Sequence, residues 1–355
     1  MSKAKKFAII GAYIGGLGNT FLNLLQQINE IENTPEQKFD WRRLLFSGGK
    51  GALLGAVGGS IVGSIADHQN SLEKPINTDA YLQALASKLK LKKTDRKYLL
   101  LCEKADILIS LLKSEFAHEL SGEPMRLGST EKGTALRKNF DIDVCFSFKA
   151  KSFNSTRKMF ETVFDFLQRL IGRYSITDVR DQKKSVGVIF IIDGKENKID
   201  VVPYKLTDSN RSSSSGYLFV NDKSFFSDNS SYTKTDIQAL KSTRLTETQK
   251  RIVLILKQWK KSHSLPVSSH LLENLVLDAY QYNRFRIPRL FTHKVIMVLS
   301  HIANNLDVAV IRSIENTNNI LTNICEQSKR EIIEACQKAI DDYEYQPNSI
   351  VKAIS

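Results

Sequence analysis

A glycine-serine pair followed by two aspartates on an apolar strand constrains this chain more than any other feature. Gly128 and Ser129 open the stretch GSTEKGTALRKNFDIDVCF, which leads to Asp141 and Asp143. Because the side chains of a strand alternate between its two faces, these two carboxylates should point the same way while the residues between them enter the core. Two carboxylates on one face can share divalent cations, and the Gly-Ser amides and hydroxyl can hold phosphate oxygens. The pattern therefore predicts a site for a metal-bound nucleoside triphosphate.

A third carboxylate is offered by Asp200, in the apolar run NKIDVVPY. This run and the preceding one, SVGVIFIID, are joined by Asp193-Gly194, a dipeptide that favours a tight hairpin turn. The hairpin predicts that Asp200 lies beside a neighbouring strand. In that position it could bind a metal ion or deprotonate an attacking ribose hydroxyl.

The order of these elements carries a resemblance. A GS turn, then DID on a strand, then a distant strand aspartate resembles the nucleotidyltransferase superfamily to which DNA polymerase beta belongs. The longer string GSTEKGTALRKNFDID is similar to the branch that holds the oligoadenylate synthetases and the bacterial cGAS/DncV-like nucleotidyltransferases, or CD-NTases. The likeness continues through RIVLILKQWKK and LPVSSHLLENLVLDAY and covers roughly residues 90 to 345. One departure is Thr317, where the oligoadenylate synthetases usually have proline.

The resemblance implies an α+β fold of two lobes with the nucleotide cleft between them. The first would be a polymerase-beta-like catalytic lobe with a mixed sheet and a long spine helix, at residues 76–240. The second would be a helical lobe at residues 241–355, and from about Thr246 onward the apolar spacing is indeed helical. A Gly-rich helical segment at residues 1–75 lies outside the resemblance.

The resemblance also implies the roles of individual residues. Gly128 and Ser129 would clamp the triphosphate, assisted by Lys257 from the LLKxW-like helix and Ser269 from the SxxLE-like helix. Two Mg²⁺ or Mn²⁺ ions would be held by the three aspartates, which are Asp141, Asp143 and Asp200.

The function implied is template-independent transfer of nucleotides with release of pyrophosphate. The product would be a cyclic or short linear oligonucleotide second messenger made from nucleoside triphosphates in bacterial anti-phage defence, and a downstream effector protein would read it. Two alternatives stay open: a linear oligonucleotide synthetase that uses deoxynucleotides or a protein primer, and a membrane-associated nucleotide-binding protein without catalysis.

Composition agrees with a polyanionic ligand. The chain of 355 residues has a formal net charge of +13, which favours nucleotides, nucleic acid or an anionic membrane as partners. A lysine-rich stretch at residues 88–97 is either a solvated face or a patch for a polyanion, and it lacks the interleaved aromatics of a nucleic-acid module. The four cysteines form no CxxC pair, which argues against a disulfide framework or a zinc knuckle and favours a reducing cytoplasm.

Residues 1–75 differ from the rest of the chain. In GALLGAVGGSIVGSIA, glycine recurs every four residues from Gly51 to Gly63, which on a helix makes a bare stripe where another helix can approach closely. Sixteen such residues span about 24 Å, short of a bilayer core near 30 Å. Three interpretations stay open: a helical hairpin that packs on the enzyme or on a second copy, insertion into or contact with the inner membrane through residues 7–66, and a disordered segment. Residues 70–77, with Pro75, would be the linker.

Overall fold

A seven-stranded mixed sheet in the described part of the chain carries Asp143 and Asp200, two of the three predicted aspartates, on its middle strands. This computed structural model describes residues 77–208, 214–221, 231–242, 245–308, 310–312 and 318–354. The sheet order is β1-β2-β5-β4-β3, with β6 beside β5 and β7 beside β6. β2 and β5 are parallel, whereas the other pairs are antiparallel. The strands are β1 Met125–Leu127, β2 Ile142–Phe148, β3 Ile176–Asp181, β4 Val186–Ile192, β5 Lys195–Leu206, β6 Ser215–Val220 and β7 Ser231–Asp236.

The parallel pair depends on a crossover. After β2 the chain passes through a helix and the strand β3 before the β4–β5 hairpin returns it beside β2. The hairpin turn is the predicted Asp193-Gly194, where both residues have positive φ, 51° and 71°, as a type I′ turn requires. The crossover helix, capped by the Ser155 hydroxyl, buries one face on the sheet. That face comprises Met159, Phe160, Val163, Phe166 and Leu167.

Four helices belong to the first part of the described chain. They are α1 Thr78–Leu89, α2 Arg96–Glu115, α3 Gly128–Lys132 and the crossover helix α4 Thr156–Gln168. The 20-residue α2 lies where the spine helix was predicted, and its buried Leu101, Leu108 and Leu112 join the core beneath the sheet. This first core is dominated by strand and aromatic side chains such as Phe146 and Phe148.

The second part of the described chain is helical, as predicted. Its helices are α5 Ile237–Ser242, α6 Glu247–Ser262, α7 Ser269–Tyr282, α8 Phe291–Asn305, α9 Glu326–Tyr345 and α10 Ser349–Ile354, with a 3₁₀ helix at Ile320–Asn323. A capping box of Thr246 and Gln249 starts α6 and satisfies amides that the helix itself leaves free. Trp259 is 1% exposed at the centre of this helical core.

Helix α1 joins the helical core rather than the sheet. Leu82 and Ala86 are both fully buried among residues of α6 and its neighbours. The chain therefore enters the helical core at residue 78, crosses to the sheet with α2, and returns with α6. The domain limits at 75/76 and 240/241 stay predictions.

The predicted fold class is confirmed, since the described residues form a mixed-sheet α+β part and a helical part. Asn77–Ser355 is one compact unit. The Gly-rich segment 1–75, its glycine stripe, its linker and Thr317 lie outside the described residues. No described helix combines the length and the apolar character that crossing a membrane demands.

Candidate active site

The strand register brings two of the predicted aspartates side by side. Asp143 of β2 is the direct partner of Asp200 of β5 in the parallel ladder. Their neighbours Ile142 and Ile199 are 1% and 0% exposed, so the opposite face of both strands is core. The alternation predicted from DID is therefore present. Asp141 immediately precedes β2 and lies two residues before Asp143, on the same side.

The Gly-Ser turn lies against Asp143. Gly128 has a φ of +76°, and a Cβ placed on it would lie 1.8 Å from Asp143 Oδ2. Only glycine fits so close to the carboxylate. Ser129 follows in the short helix α3, and its carbonyl oxygen accepts a hydrogen bond of 2.9 Å from the Thr134 amide. The turn thus places backbone amides and a hydroxyl next to the acidic pair.

The acidic residues carry perturbed pKa values. Burial, followed by the charges of Asp200 and Asp141, raises the pKa of Asp143 to about 6. Burial also raises the pKa of Asp200, although Lys198 partly offsets the effect. Asp200 Oδ1 is buried and has no hydrogen-bond partner among the described residues. A cluster of closely spaced carboxylates, one with an unsatisfied oxygen, is well suited to bind a cation or a proton.

Lys198 partly neutralises this cluster. Its Nζ lies 3.2 Å from Asp141 Oδ2 and 3.0 Å from Asp200 Oδ2. Lys198 was not among the predicted site residues. The signal was present, because a residue two positions before Asp200 on a strand must share its face.

The aspartates fit a divalent cation by their chemistry. Their oxygens are hard ligands of the kind that Mg²⁺ prefers, and Asp200 Oδ1 lacks a partner. Within the ranges described above, however, no group of three or more His, Cys, Asp and Glu side chains is placed so that it could hold a metal ion. Two of the three aspartates pair with the Lys198 ammonium instead.

A large cavity opens between the sheet and the helical part. It has a volume of about 1230 Å³, and its wall brings together Gly128, Ser129, Asp141, Asp143, Lys257 and Ser269. Asp200, with only 7% of its surface exposed, does not line it. Of the predicted site residues, all but Asp200 therefore share one cavity, and Asp200 is joined to it through Asp143.

The wall is rich in basic side chains that suit a triphosphate. They are Arg126, Lys132, Lys184, Lys241, Lys250, Lys257, Lys260 and Lys261. Only Lys257 among them was predicted as a site residue. Lys260 and Lys261 could have been found from it, because residues three and four positions apart on a helix share a face.

Lys257 is buried, and its ammonium group makes hydrogen bonds within the protein. Its side chain is 5% exposed, and Nζ donates to the Thr134 carbonyl at 3.0 Å and to Glu273 Oε1 at 3.1 Å. Glu273 also pairs with Lys132 at 3.1 Å, and it accepts from the Thr134 hydroxyl at 2.7 Å. Burial raises the pKa of Glu273, but Lys132 and Lys257 outweigh it, so the pKa lies below its usual value. This network ties the loop after α3 to α6 and α7.

Ser269 is the first residue of α7, directly after the N-cap Ser268. It lies one helical turn before Glu273, and both residues line the cavity. The predicted contact of Ser269 with a triphosphate stays a prediction, as does that of Lys257.

Solved structures share this architecture. No protein-family model and no curated protein matches the chain. CdnC of E. coli MS115-1, in its structure with ATP, has a TM-score of 0.58 and 20% identity over 76% of this chain and 92% of its own. CdnG of Bradyrhizobium diazoefficiens, a CD-NTase in complex with GTP, has a TM-score of 0.57 and 10% identity over 78% and 95%. The chain has the fold of the CD-NTases.

A third CD-NTase-fold structure agrees. CdnE of Elizabethkingia meningoseptica, a cyclic dinucleotide synthase with GTP and Apcpp, has a TM-score of 0.54 and 18% identity over 75% of this chain and 98% of its own. The predicted resemblance to CD-NTases is confirmed at the level of the fold.

Proposed function

We propose that this protein is a metal-dependent nucleotidyltransferase that joins nucleoside triphosphates, without a template, into a cyclic or short linear oligonucleotide and releases pyrophosphate. One observation carries the proposal. Asp143 and Asp200 are paired in register on parallel strands, and the Gly128 turn presses against Asp143 at the wall of a basic cavity.

The residues divide the chemistry between them. The Gly128-Ser129 turn and the lysines of the cavity wall hold the triphosphate, with Ser269 and Lys257 on the helical side. Asp200 accepts the proton of the attacking ribose hydroxyl. The hydroxyl oxygen then bonds to the α-phosphorus, and the bond from that phosphorus to the pyrophosphate oxygen breaks.

Asp141, Asp143 and Asp200 would hold two Mg²⁺ or Mn²⁺ ions. When bound, such ions align the reacting oxygens and neutralise the charge that develops on the leaving pyrophosphate. The strand register fixes the spacing of the Asp143 and Asp200 backbones, so these two carboxylates stay side by side.

The comparisons support a messenger as the product. The similar CdnE is a cyclic dinucleotide synthase, and the structures of CdnC and CdnG contain ATP and GTP. On this basis we propose a role in bacterial anti-phage defence of the CBASS type, in the cytoplasm, with a separate effector protein that reads the product.

Product analysis tests the proposal. The purified full chain is incubated with all four ribonucleoside triphosphates, and separately with the four deoxynucleoside triphosphates, with Mg²⁺ or Mn²⁺, and the products are identified by mass spectrometry. We expect pyrophosphate and a cyclic or short linear oligoribonucleotide. The matched controls are Asp141→Asn, Asp143→Asn and Asp200→Asn, each of which should remove nearly all synthesis from a folded protein.

The pattern among the variants separates catalysis from structure. Because the three aspartates act together, a double variant should lose little more activity than the worse single variant. Modest, additive losses that follow the melting temperature would point to a structural role. More than about a tenth of parental synthesis by folded Asp143→Asn, a loss below about 1.4 kcal/mol, would refute the metal assignment. A deoxynucleotide product would favour the linear synthetase, and binding without turnover would favour the non-catalytic alternative.

A further inference from the structure

Lys198 occupies the position between Asp141 and Asp200 that a shared cation would take. Its Nζ is 3.2 Å from Asp141 Oδ2 and 3.0 Å from Asp200 Oδ2. The lysine side chain is 27% exposed and that of Asp200 10%. The Asp141 side chain is 45% exposed, so the pair with Asp200 is the better shielded from water.

The sheet is shaped to hold this side chain. Gly187 of β4 is the direct neighbour of Asp200 in the antiparallel ladder. A Cβ on Gly187 would lie 2.3 Å from Gln182 Nε2 and 3.3 Å from Lys198 Cδ. The glycine therefore leaves the space that the lysine stem and the glutamine amide fill. Gln182 Oε1 lies 3.4 Å from Lys198 Nζ and is itself held by the Ser185 hydroxyl at 3.1 Å.

Lys198, like Asp200, is not part of the cavity wall. Asp143 lines the cavity, whereas its strand partner Asp200 does not. A divalent cation that binds Asp141 Oδ2 and Asp200 Oδ2 needs the two oxygens that Lys198 Nζ now contacts, whereas Asp200 Oδ1 has no hydrogen-bond partner among the described residues. Such a cation would lie close to the ammonium, and like charges that close repel strongly.

We propose that Lys198 is an internal counter-ion that competes with the divalent cation for Asp141 and Asp200, so that metal binding requires its displacement. This inference rests on the proposed function, in which the aspartates bind metal. Lys198 is thus a positioning residue: it keeps the carboxylates together, weakens metal affinity, and frees Asp200 Oδ2 when it moves.

Mn²⁺ binding to the full chain tests the inference without any turnover. Free Mn²⁺ is measured by electron paramagnetic resonance during titration at pH 7.5. We expect Lys198→Met, which keeps the stem and removes the charge, to bind Mn²⁺ on the order of tenfold more tightly, equivalent to about 1.4 kcal/mol. Lys198→Arg, which keeps the charge, should not tighten binding. Lys195→Met, an exposed lysine at the start of the same strand, should bind as the parent does.

The outcomes separate this inference from the proposed function. Equal or weaker Mn²⁺ binding by Lys198→Met than by the parent would overturn the competition while leaving the metal role intact. Absence of Mn²⁺ binding by the parent, or binding unchanged in Asp143→Asn, would overturn the metal role and the inference with it.

A second measurement needs no variant, in case Lys198→Met fails to fold. The parent is briefly acetylated with an N-hydroxysuccinimide ester, and lysine modification is quantified by peptide mass spectrometry. Displacement predicts severalfold more labelling of Lys198 when Mn²⁺ is added, with Lys195 unchanged. Labelling of Lys198 that does not rise in a protein that binds Mn²⁺ refutes the proposal.

Discussion

Asp143→Asn should abolish synthesis and at the same time make the protein more stable at neutral pH. Burial and the neighbouring carboxylates raise the pKa of Asp143 from its ordinary 3.8 to about 6. The folded protein therefore holds a proton that the unfolded chain has lost, and its stability falls as the pH rises from about 4 to about 6. The difference of roughly 2 between the folded and unfolded pKa values lowers the free energy of unfolding by about 3 kcal/mol at pH 7.5 and by about half of that at pH 5.

Urea unfolding in the presence of a chelator measures the stability that the protein loses when Asp143 ionises. The stability of Asp143→Asn relative to the parent should increase by about 1.5 kcal/mol between pH 5 and pH 7.5, or roughly 2 to 3 °C in melting temperature for a chain of this length. Asp165→Asn, an exposed aspartate of α4, is the matched control and should follow the parent at both pH values. Adding Mn²⁺ should increase the stability of the parent far more than that of the variant, because the variant lacks one of the proposed metal-binding carboxylates. A stability difference independent of pH would refute the assigned cost of charging Asp143.

Three further changes test the parts around the aspartates. Gly128→Ala places a methyl group against Asp143 and forces a positive φ on alanine, so it should cost about 1–3 kcal/mol in urea unfolding and remove most activity. Ser129→Ala should leave stability within about 1 kcal/mol but reduce turnover about 10²-fold, and near-normal turnover would remove the hydroxyl from the site. Glu273→Gln should cost about 3 kcal/mol or more because it leaves two lysines without their carboxylate, whereas Lys257→Met should cost less and weaken ATP binding in calorimetry. Equal losses of stability from the last two variants would contradict the network as described.

Much of the acidic part of the site follows from local sequence. The alternation of DID on an apolar strand and the Asp193-Gly194 turn are short-range signals, and both appear in the structure as predicted. The helical second part follows from apolar spacing in the same way. The spacing of apolar residues and the residue preferences of turns depend on only a few neighbouring positions. They can therefore be recognised in the sequence alone.

The remaining features depend on contacts between distant parts of the chain. The pairing of Lys257 with Thr134 joins residues more than a hundred positions apart, and no local pattern indicates it. Helix α1 has an ordinary apolar face, and only the packed structure shows that this face enters the helical core. Lys198 is an intermediate case, since its face was predictable but its two carboxylate partners were not.

The register of β2 against β5 links catalysis to folding. Ile199 and Val201, on either side of Asp200, are both 0% exposed in the core. A slip of one residue would turn Asp200 into that core and bring an aliphatic side chain to the position beside Asp143. The burial of Ile199 and Val201 thus determines the position of Asp200, although neither residue is part of the proposed site. A molecule that has folded with its core intact therefore has its aspartates in place. The rate of synthesis per folded molecule should accordingly be the same from one preparation to the next.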